Sequence, residues 1–500
     1  MFVDGRNLPD GHIVEADLCI VGAGAVGISM AMEFDGSNKK VAIVESGGFQ
    51  YDEKTQSLYE GYHTGIHTYP LGRNRLRYFG GTTNHWAGHC RPFDAFDFSV
   101  RDWIPHSGWP IKIEELTPYL ARSQPIMGLG KYDYDSVEEY AKQLGFPTLP
   151  LDENRLISVL KHQSPPTRFG PAYREQIKQS KNVTVYLHSN VQELIANETA
   201  THITGADVAC IEGPRYKIKA TQFVLATGGI ENPRIMLLSN KSAPNGLGNK
   251  HGLVGRFYMD HILIRPAIDV SLSRTDLNFK LYTHPHEING GKIFGIMTAP
   301  EEMTRREKMT RFRMHLYDVH PRFFKKGLGG VFSSLDGSPE VSPLDVRRGS
   351  YIAVHMTMEP IPNPDAYVRL SDKLDFFGQR KVEVNWQVTD AERRNAQRAI
   401  EYGALEFARM GYGRGNSLML RNPDEWPSHV SSGKHHCGTT RMSDNPQTGM
   451  ADPNCKVFDI DNLYLTGSSL FPTIGHTNPT LNLVALALRL SDHLKEKMHA

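Results

Sequence analysis

The hydrophobic pattern of the chain begins as a short apolar run and then changes to a helical spacing. Residues 16–21 are too few for a helix and end at Gly22-Ala-Gly24-Ala-Val-Gly27, after which residues 28–34 carry apolar positions at helical intervals. This order predicts a strand, a tight glycine turn and a helix. Residues 40–44 predict a second strand, closed by Glu45. Further strands are predicted at 183–187, at 191–195 and at 222–226, the last leading from Ala226 into Thr227-Gly228-Gly229; residues 462–466 form another that enters Gly467-Ser468-Ser469. The segments 351–359, 365–371 and 382–387 predict a mostly antiparallel sheet. Residues 481–495 predict a C-terminal helix opened by Asn478-Pro479-Thr480, where proline suits the first turn.

The glycine turn implies a ligand. Gly22 permits the turn, Gly24 lets the backbone approach a pyrophosphate, Gly27 allows close helix–strand packing, and the helix N-terminus faces the phosphates. Glu45 is placed to bind ribose hydroxyls and disfavours a 2'-phosphate. The turn alone does not separate FAD from NAD. The strand starting at Val191 and the turns at Ala226–Gly228 and Gly467–Ser468 read as returns of the chain to a long cofactor, which favours FAD. Ordinary buried strands closed by small-residue turns are the other reading of each. The expected fold class is α/β. A discontinuous Rossmann-like FAD-binding domain takes residues 1–93, 181–254 and 428–500, and a mostly antiparallel-sheet substrate-binding domain and cap takes 94–180 and 255–427.

Composition narrows the partners. Among 500 residues, 56 Lys and Arg balance 55 Asp and Glu, giving a formal charge of +1, so no long-range field draws the whole chain to nucleic acid or an anionic membrane. The five cysteines are scattered, with no metal-ligand spacing, and read as thiols in a reducing compartment. The first residues carry no apolar signal core, and no apolar run reaches the roughly 20 residues of a membrane helix. The expected location is cytoplasmic.

In chain order, Gly22, Gly24, Gly27 and Glu45-Ser-Gly-Gly48, then Gly80-Gly81-Thr82-Thr83-Asn84-His85-Trp86, Ala226-Thr-Gly-Gly-Ile-Glu-Asn-Pro-Arg234, His435-His-Cys-Gly-Thr439 and Asn478-Pro479-Thr480 stand in a fixed succession. In this the chain resembles the glucose-methanol-choline (GMC) oxidoreductase family over nearly its whole length, and within it the pyranose-oxidase and sugar-dehydrogenase branch. The resemblance implies an FAD enzyme that oxidises a CH–OH group, with Gly81, Thr82, Asn84, His85 and Trp86 passing the flavin. It aligns His85 with a histidine that carries the flavin covalently in pyranose oxidases; a packed, hydrogen-bonded histidine is the other reading. It implies His435 as base and Asn478 as its partner, where glucose-oxidase-like members have a second histidine.

Alcohol oxidation needs a base for the hydroxyl proton while the hydride goes to flavin N5. An imidazole with an ordinary pKa near ~6.5 suits the task. His436 and His476 are rivals for it among 22 histidines. The Asn478-Pro479-Thr480 turn and the helix it opens offer backbone N–H groups and a positive helix end to flavin N1 and O2. The expected substrate is a small-molecule alcohol such as a sugar, glycoside or polyol, with oxygen, a quinone or a redox protein as electron acceptor. A dehydrogenase subunit that serves a partner protein and a non-redox lyase are the competing readings. Asn385-Trp386-Gln387 and Phe323-Phe324 are candidates for touching a sugar, with core packing as the alternative.

Overall fold

The computed structural model describes residues 1–66, 69–318 and 351–499. Its first sheet has eight strands and centres on Ile13–Val21, with Val41–Val44 on one side and Arg215–Leu225 on the other, all parallel. Val183–Leu187 and Phe2–Asp4 extend the parallel order, Leu463–Leu465 pairs with the end of Arg215–Leu225, and Ile203–Ala209 and Asn190–Ala196 add an antiparallel edge. Parallel strands covered on both faces read as continuous apolar runs. Leu18–Val21 and Val41–Val44 are accordingly buried without alternation. The helix Ala25–Phe34 packs against the C-terminal helix Thr480–Met498, which also meets Ile113–Ile126. The fold is thus the α/β type expected, and segments near residues 20, 220 and 465 share one sheet.

The second sheet has nine strands and is antiparallel throughout. Its order is Gly413–Asn416, Ile262–Leu272, Tyr351–Met358, Phe312–Asp318, Gly291–Thr298, Ile157–Gln163 and His89–Cys90, with His286–Ile288 and Ser431–Ser432 at its margins. Side chains alternate between its faces. Met314, Leu316, Val354, Met356 and Met358 enter a core shared with helix Asp390–Arg409. Arg313, His315, Tyr317, His355 and Thr357 line a cavity, with Arg313 opposite Thr357 and His315 opposite His355 in register.

One expectation is corrected. Segments 365–371 and 382–387 do not join 351–359. Tyr367–Leu374 and Arg380–Trp386 pair with each other and with Gly61–Gly65 in a separate three-stranded sheet. The cause lies in Pro360, Pro362 and Pro364, which cannot donate to a ladder and end the second sheet at Met358. Trp386 is buried in the core, whereas Phe323 and Phe324 lie outside the described residues. Among the described residues no helix is long and apolar enough to cross a membrane.

Candidate active site

Gly22 adopts φ +104°, and a side chain there would meet the Ala226 carbonyl at 2.8 Å. The turn it makes brings Gly24 to the head of helix Ala25–Phe34, which has no side-chain cap. A Cβ on Gly24 would touch nothing within 4 Å, and the same is true at Gly228 and Gly467. These three glycines open onto one cavity of about 610 Å³. Gly27 lies behind the turn, where a Cβ would fall 2.0 Å from the Gly22 carbonyl oxygen. Glu45 braces the turn from the neighbouring strand: its carboxylate accepts from Ala23 N at 2.9 Å and from Gly47 N at 3.0 Å. Burial pushes its pKa up, against the pull of those two N–H groups.

The same cavity is lined by Gly81, Thr82, His85, Trp86, Val191, Ala226 and Ser468, and by His435, Asn478, Pro479 and Thr480. Asn84 stands apart, its amide donating to the Phe79 carbonyl at 2.9 Å. Trp86 is fixed by a 2.9 Å bond from its indole N–H to the Thr167 carbonyl. Pro479 immediately precedes the helix Thr480–Met498.

His435 and Asn478 meet at the cavity wall, with Nε2 of the histidine 3.2 Å from Nδ2 of the amide. The histidine's tautomer follows from the groups behind it. His261 Nε2 lies 3.0 Å from the Gly475 carbonyl, which accepts only, so that nitrogen carries the proton. His261 Nδ1 is then a lone pair, and it accepts from His435 Nδ1–H at 2.9 Å. This leaves His435 Nε2 unprotonated and aimed at Asn478. Asp260 accepts from the His435 backbone N–H at 2.8 Å and holds the loop. Burial lowers the His435 pKa well below its ordinary value, and His261, Arg313, His436 and Lys161 add to the effect. His261 is held down to about 3, also chiefly by burial.

The two rival histidines are placed differently. His436 lines the cavity but is stacked with Tyr258, and its carbonyl accepts from Ser468 Oγ at 2.6 Å. His476 is fully buried beside Arg311 and Asp94 and does not reach the cavity.

Residues 362–487 match the protein family described as GMC oxidoreductase. The chain is 25% identical to a 2-methyl-1,2-propanediol dehydrogenase of Mycolicibacterium austroafricanum, over 97% of this chain and 96% of that one. It is 23% identical to a fructose dehydrogenase large subunit of Gluconobacter japonicus, over 96% and 97%. The chain is thus similar to GMC oxidoreductases, by the family match over residues 362–487 and by distant relatives over nearly its whole length. Its fold is similar to the crystal structure of a pyridoxine 4-oxidase from Mesorbium loti, with a TM-score of 0.64 and 17% identity over 96% of this chain and 99% of that one.

These similarities make the chain an FAD-dependent alcohol oxidase or dehydrogenase of the GMC type. The cavity fits the cofactor. Space without a side chain at Gly24, Gly228 and Gly467, together with the uncapped helix end, makes a cradle that a phosphate-bearing ligand fills. The sequence reading missed His261, Asp260, Lys161, Arg265, Arg313 and His315. A signal existed for several of them. Arg313, His315 and Tyr317 alternate with buried apolar residues, a pattern usually read as a solvent face, and Asp260-His261 stand directly before an apolar strand.

Proposed function

We propose that this GMC-type enzyme oxidises a CH–OH group of a sugar, glycoside or polyol, with His435 as base and Asn478 orienting the substrate oxygen. The observation that carries this reading is the relay from the Gly475 carbonyl through His261, which leaves His435 Nε2 unprotonated, with a lone pair that accepts from the Asn478 amide N–H at 3.2 Å. A substrate hydroxyl beside the pair takes the place of this bond, donating its proton to Nε2 and accepting from the amide N–H. Bound FAD supplies the acceptor for the hydride that leaves the same carbon. Gly22, Gly24, Glu45, Ala226, Gly228, Gly467 and Ser468 hold the nucleotide part, and Gly81, Thr82, His85, Trp86, Pro479 and Thr480 border the ring. The His85 ring faces the cavity and makes no hydrogen bond among the described residues, which supports it as a covalent attachment point. The relatives that act on a diol and on fructose support a hydroxyl-rich substrate. The reduced enzyme passes its electrons to oxygen, a quinone or a redox protein.

Anaerobic mixing with a panel of pyranoses, glycosides and polyols tests this reading. Bleaching of the flavin is the expected result. His435→Ala keeps its FAD and slows bleaching roughly 10²- to 10⁴-fold, the usual worth of a positioned base. A His435→Ala enzyme of undiminished rate, with the loss found in His436→Ala instead, assigns the base to His436.

A further inference from the structure

The wall formed by the antiparallel sheet carries a concentration of positive charge. Lys161 projects from Ile157–Gln163 and Arg313 from Phe312–Asp318, and both line the cavity that holds His435 and Asn478. They are 2% and 4% exposed. Arg265 lines the same cavity from Ile262–Leu272. Among the described residues none of the three has a carboxylate partner. Arg313 donates to the His476 carbonyl, and the Lys161 ammonium lies 3.5 Å from His315 Nε2 and 5.6 Å from the centre of the Phe294 ring.

Several buried arginines of the molecule are neutralised, although Arg441 is buried with only the His106 carbonyl as its partner. Arg101 is paired with Glu359, Arg75 with Glu231, Arg234 with Asp375 and Arg311 with Asp94. A buried cation without a counter-charge is costly, and burial accordingly lowers the Lys161 pKa well below its ordinary value, whereas an anionic ligand would restore its charge. The clustering raises that cost, because the cations repel one another. Lys161 holds His89 down to about 2, and burial together with Arg265 lowers Arg313 to about 9. Both Lys161 and Arg313 also act on His435, so the charge lies close to the reacting hydroxyl.

We infer that the substrate is an anionic alcohol whose carboxylate or phosphate sits against Lys161 and Arg313, within a few bonds of the carbon that is oxidised at His435. Guanidinium and ammonium together suit the oxygens of such a group, and the bonds are charge-assisted. The neutral wall residues Thr357 and Leu263 fill the space beside them. This inference rests on the alcohol-oxidation reading and narrows its substrate class to hydroxy acids, sugar acids or polyol phosphates.

The test uses the FAD-loaded enzyme and matched sets: glycerol, glycerate and glycerol 3-phosphate, then sorbitol, gluconate and sorbitol 6-phosphate. An anionic member is expected to bleach the flavin anaerobically at least about 10-fold more efficiently than its neutral counterpart, the worth of one charge-assisted hydrogen bond. Preference between the acid and the phosphate identifies the anion. Neutral alcohols that equal or exceed both anions overturn the inference while leaving the alcohol-oxidation reading intact. Binding is measured separately with succinate and inorganic phosphate, which the enzyme cannot oxidise. At least one of them is expected to perturb the flavin absorption band, and Lys161→Met to weaken that binding about 10- to 100-fold, with Lys161→Arg retaining it. If Lys161→Met fails to fold, Arg313→Gln serves as the second variant, with the same loss of binding expected. Absence of any perturbation in the wild-type enzyme overturns the inference even where no alcohol bleaches the flavin, an outcome that would by itself refute the oxidation reading.

Discussion

The lone pair on His435 Nε2 depends on groups that never touch substrate. The Gly475 carbonyl fixes the His261 proton on Nε2, and His261 Nδ1 then accepts from His435. His261 is therefore a positioning residue. His261→Leu removes the acceptor for His435 Nδ1–H, and the limiting rate of flavin reduction is expected to fall about 10²-fold or more, as when a base is left in the wrong tautomer. His261→Asn offers an amide oxygen and is expected to recover much of that loss. Equal losses in both variants would reduce His261 to a packing role. The pH profile adds a readout that packing does not move. Because the His435 pKa is lowered, its basic form persists above that value and disappears only as pH falls through it. The wild-type kcat/KM for a neutral alcohol is expected to stay flat between about pH 6.5 and 8, and to fall only at acidity well below the ordinary histidine range. The unperturbed value near ~6.5 assumed from the sequence does not hold, since burial was invisible there.

At the scale of elements, what was legible followed from local chemistry. The strand, turn and helix of residues 13–34 are dictated by an apolar run and three glycines, and each glycine answers a different demand. Gly27 answers to the protein and Gly24 to the cavity. Gly27→Val drives a side chain into the Gly22 carbonyl and is expected to destabilise the apoprotein by at least about 1–3 kcal/mol. A Cβ at Gly24 meets no protein atom within 4 Å, so Gly24→Ala should melt with the wild type as apoprotein while FAD fails to remain bound through purification. Circular dichroism melts and the ratio of flavin to protein absorbance separate the two; parallel behaviour of the variants would contradict these roles. Non-local features were not legible. Nothing in residues 351–387 announces that Met358 ends one sheet and Tyr367 begins another, although the three intervening prolines explain it afterwards. The alternation at 312–318 resembles a surface strand until the cavity behind it is known, because water and a hydrophilic cavity impose the same pattern.

At the scale of the whole molecule, buried charges join parts of the chain that sequence order keeps apart. Arg75, Glu231, Arg234 and Asp375 connect the loop before Gly80 to the helix Gly228–Leu238 and to the turn of the three-stranded sheet. Burial works against ionisation of Glu231, yet Arg234, Arg75 and Arg77 hold its pKa at about 2. Glu359 is the second such centre. Fully buried, it takes both Arg101 guanidinium nitrogens at 2.7 and 2.8 Å, and it accepts from Arg311 N and Gly475 N at 3.1 Å each. Gly475 is the residue whose carbonyl sets the His261 proton, so stability and the state of the base share one anchor. Glu359→Leu strands Arg101 without its partner and is expected to destabilise the FAD-loaded enzyme by about 3–5 kcal/mol, the usual cost of breaking a buried pair from one side. The double variant Arg101→Leu with Glu359→Leu leaves no lone charge, so its loss should be smaller than the sum of the two single losses. It should nevertheless keep the slow flavin reduction of Glu359→Leu, because Gly475 N has lost its acceptor in both. Urea midpoints and anaerobic reduction rates measured on the same preparations check the two halves of this argument. Full recovery of the rate in the double variant would sever the link between Glu359 and His435.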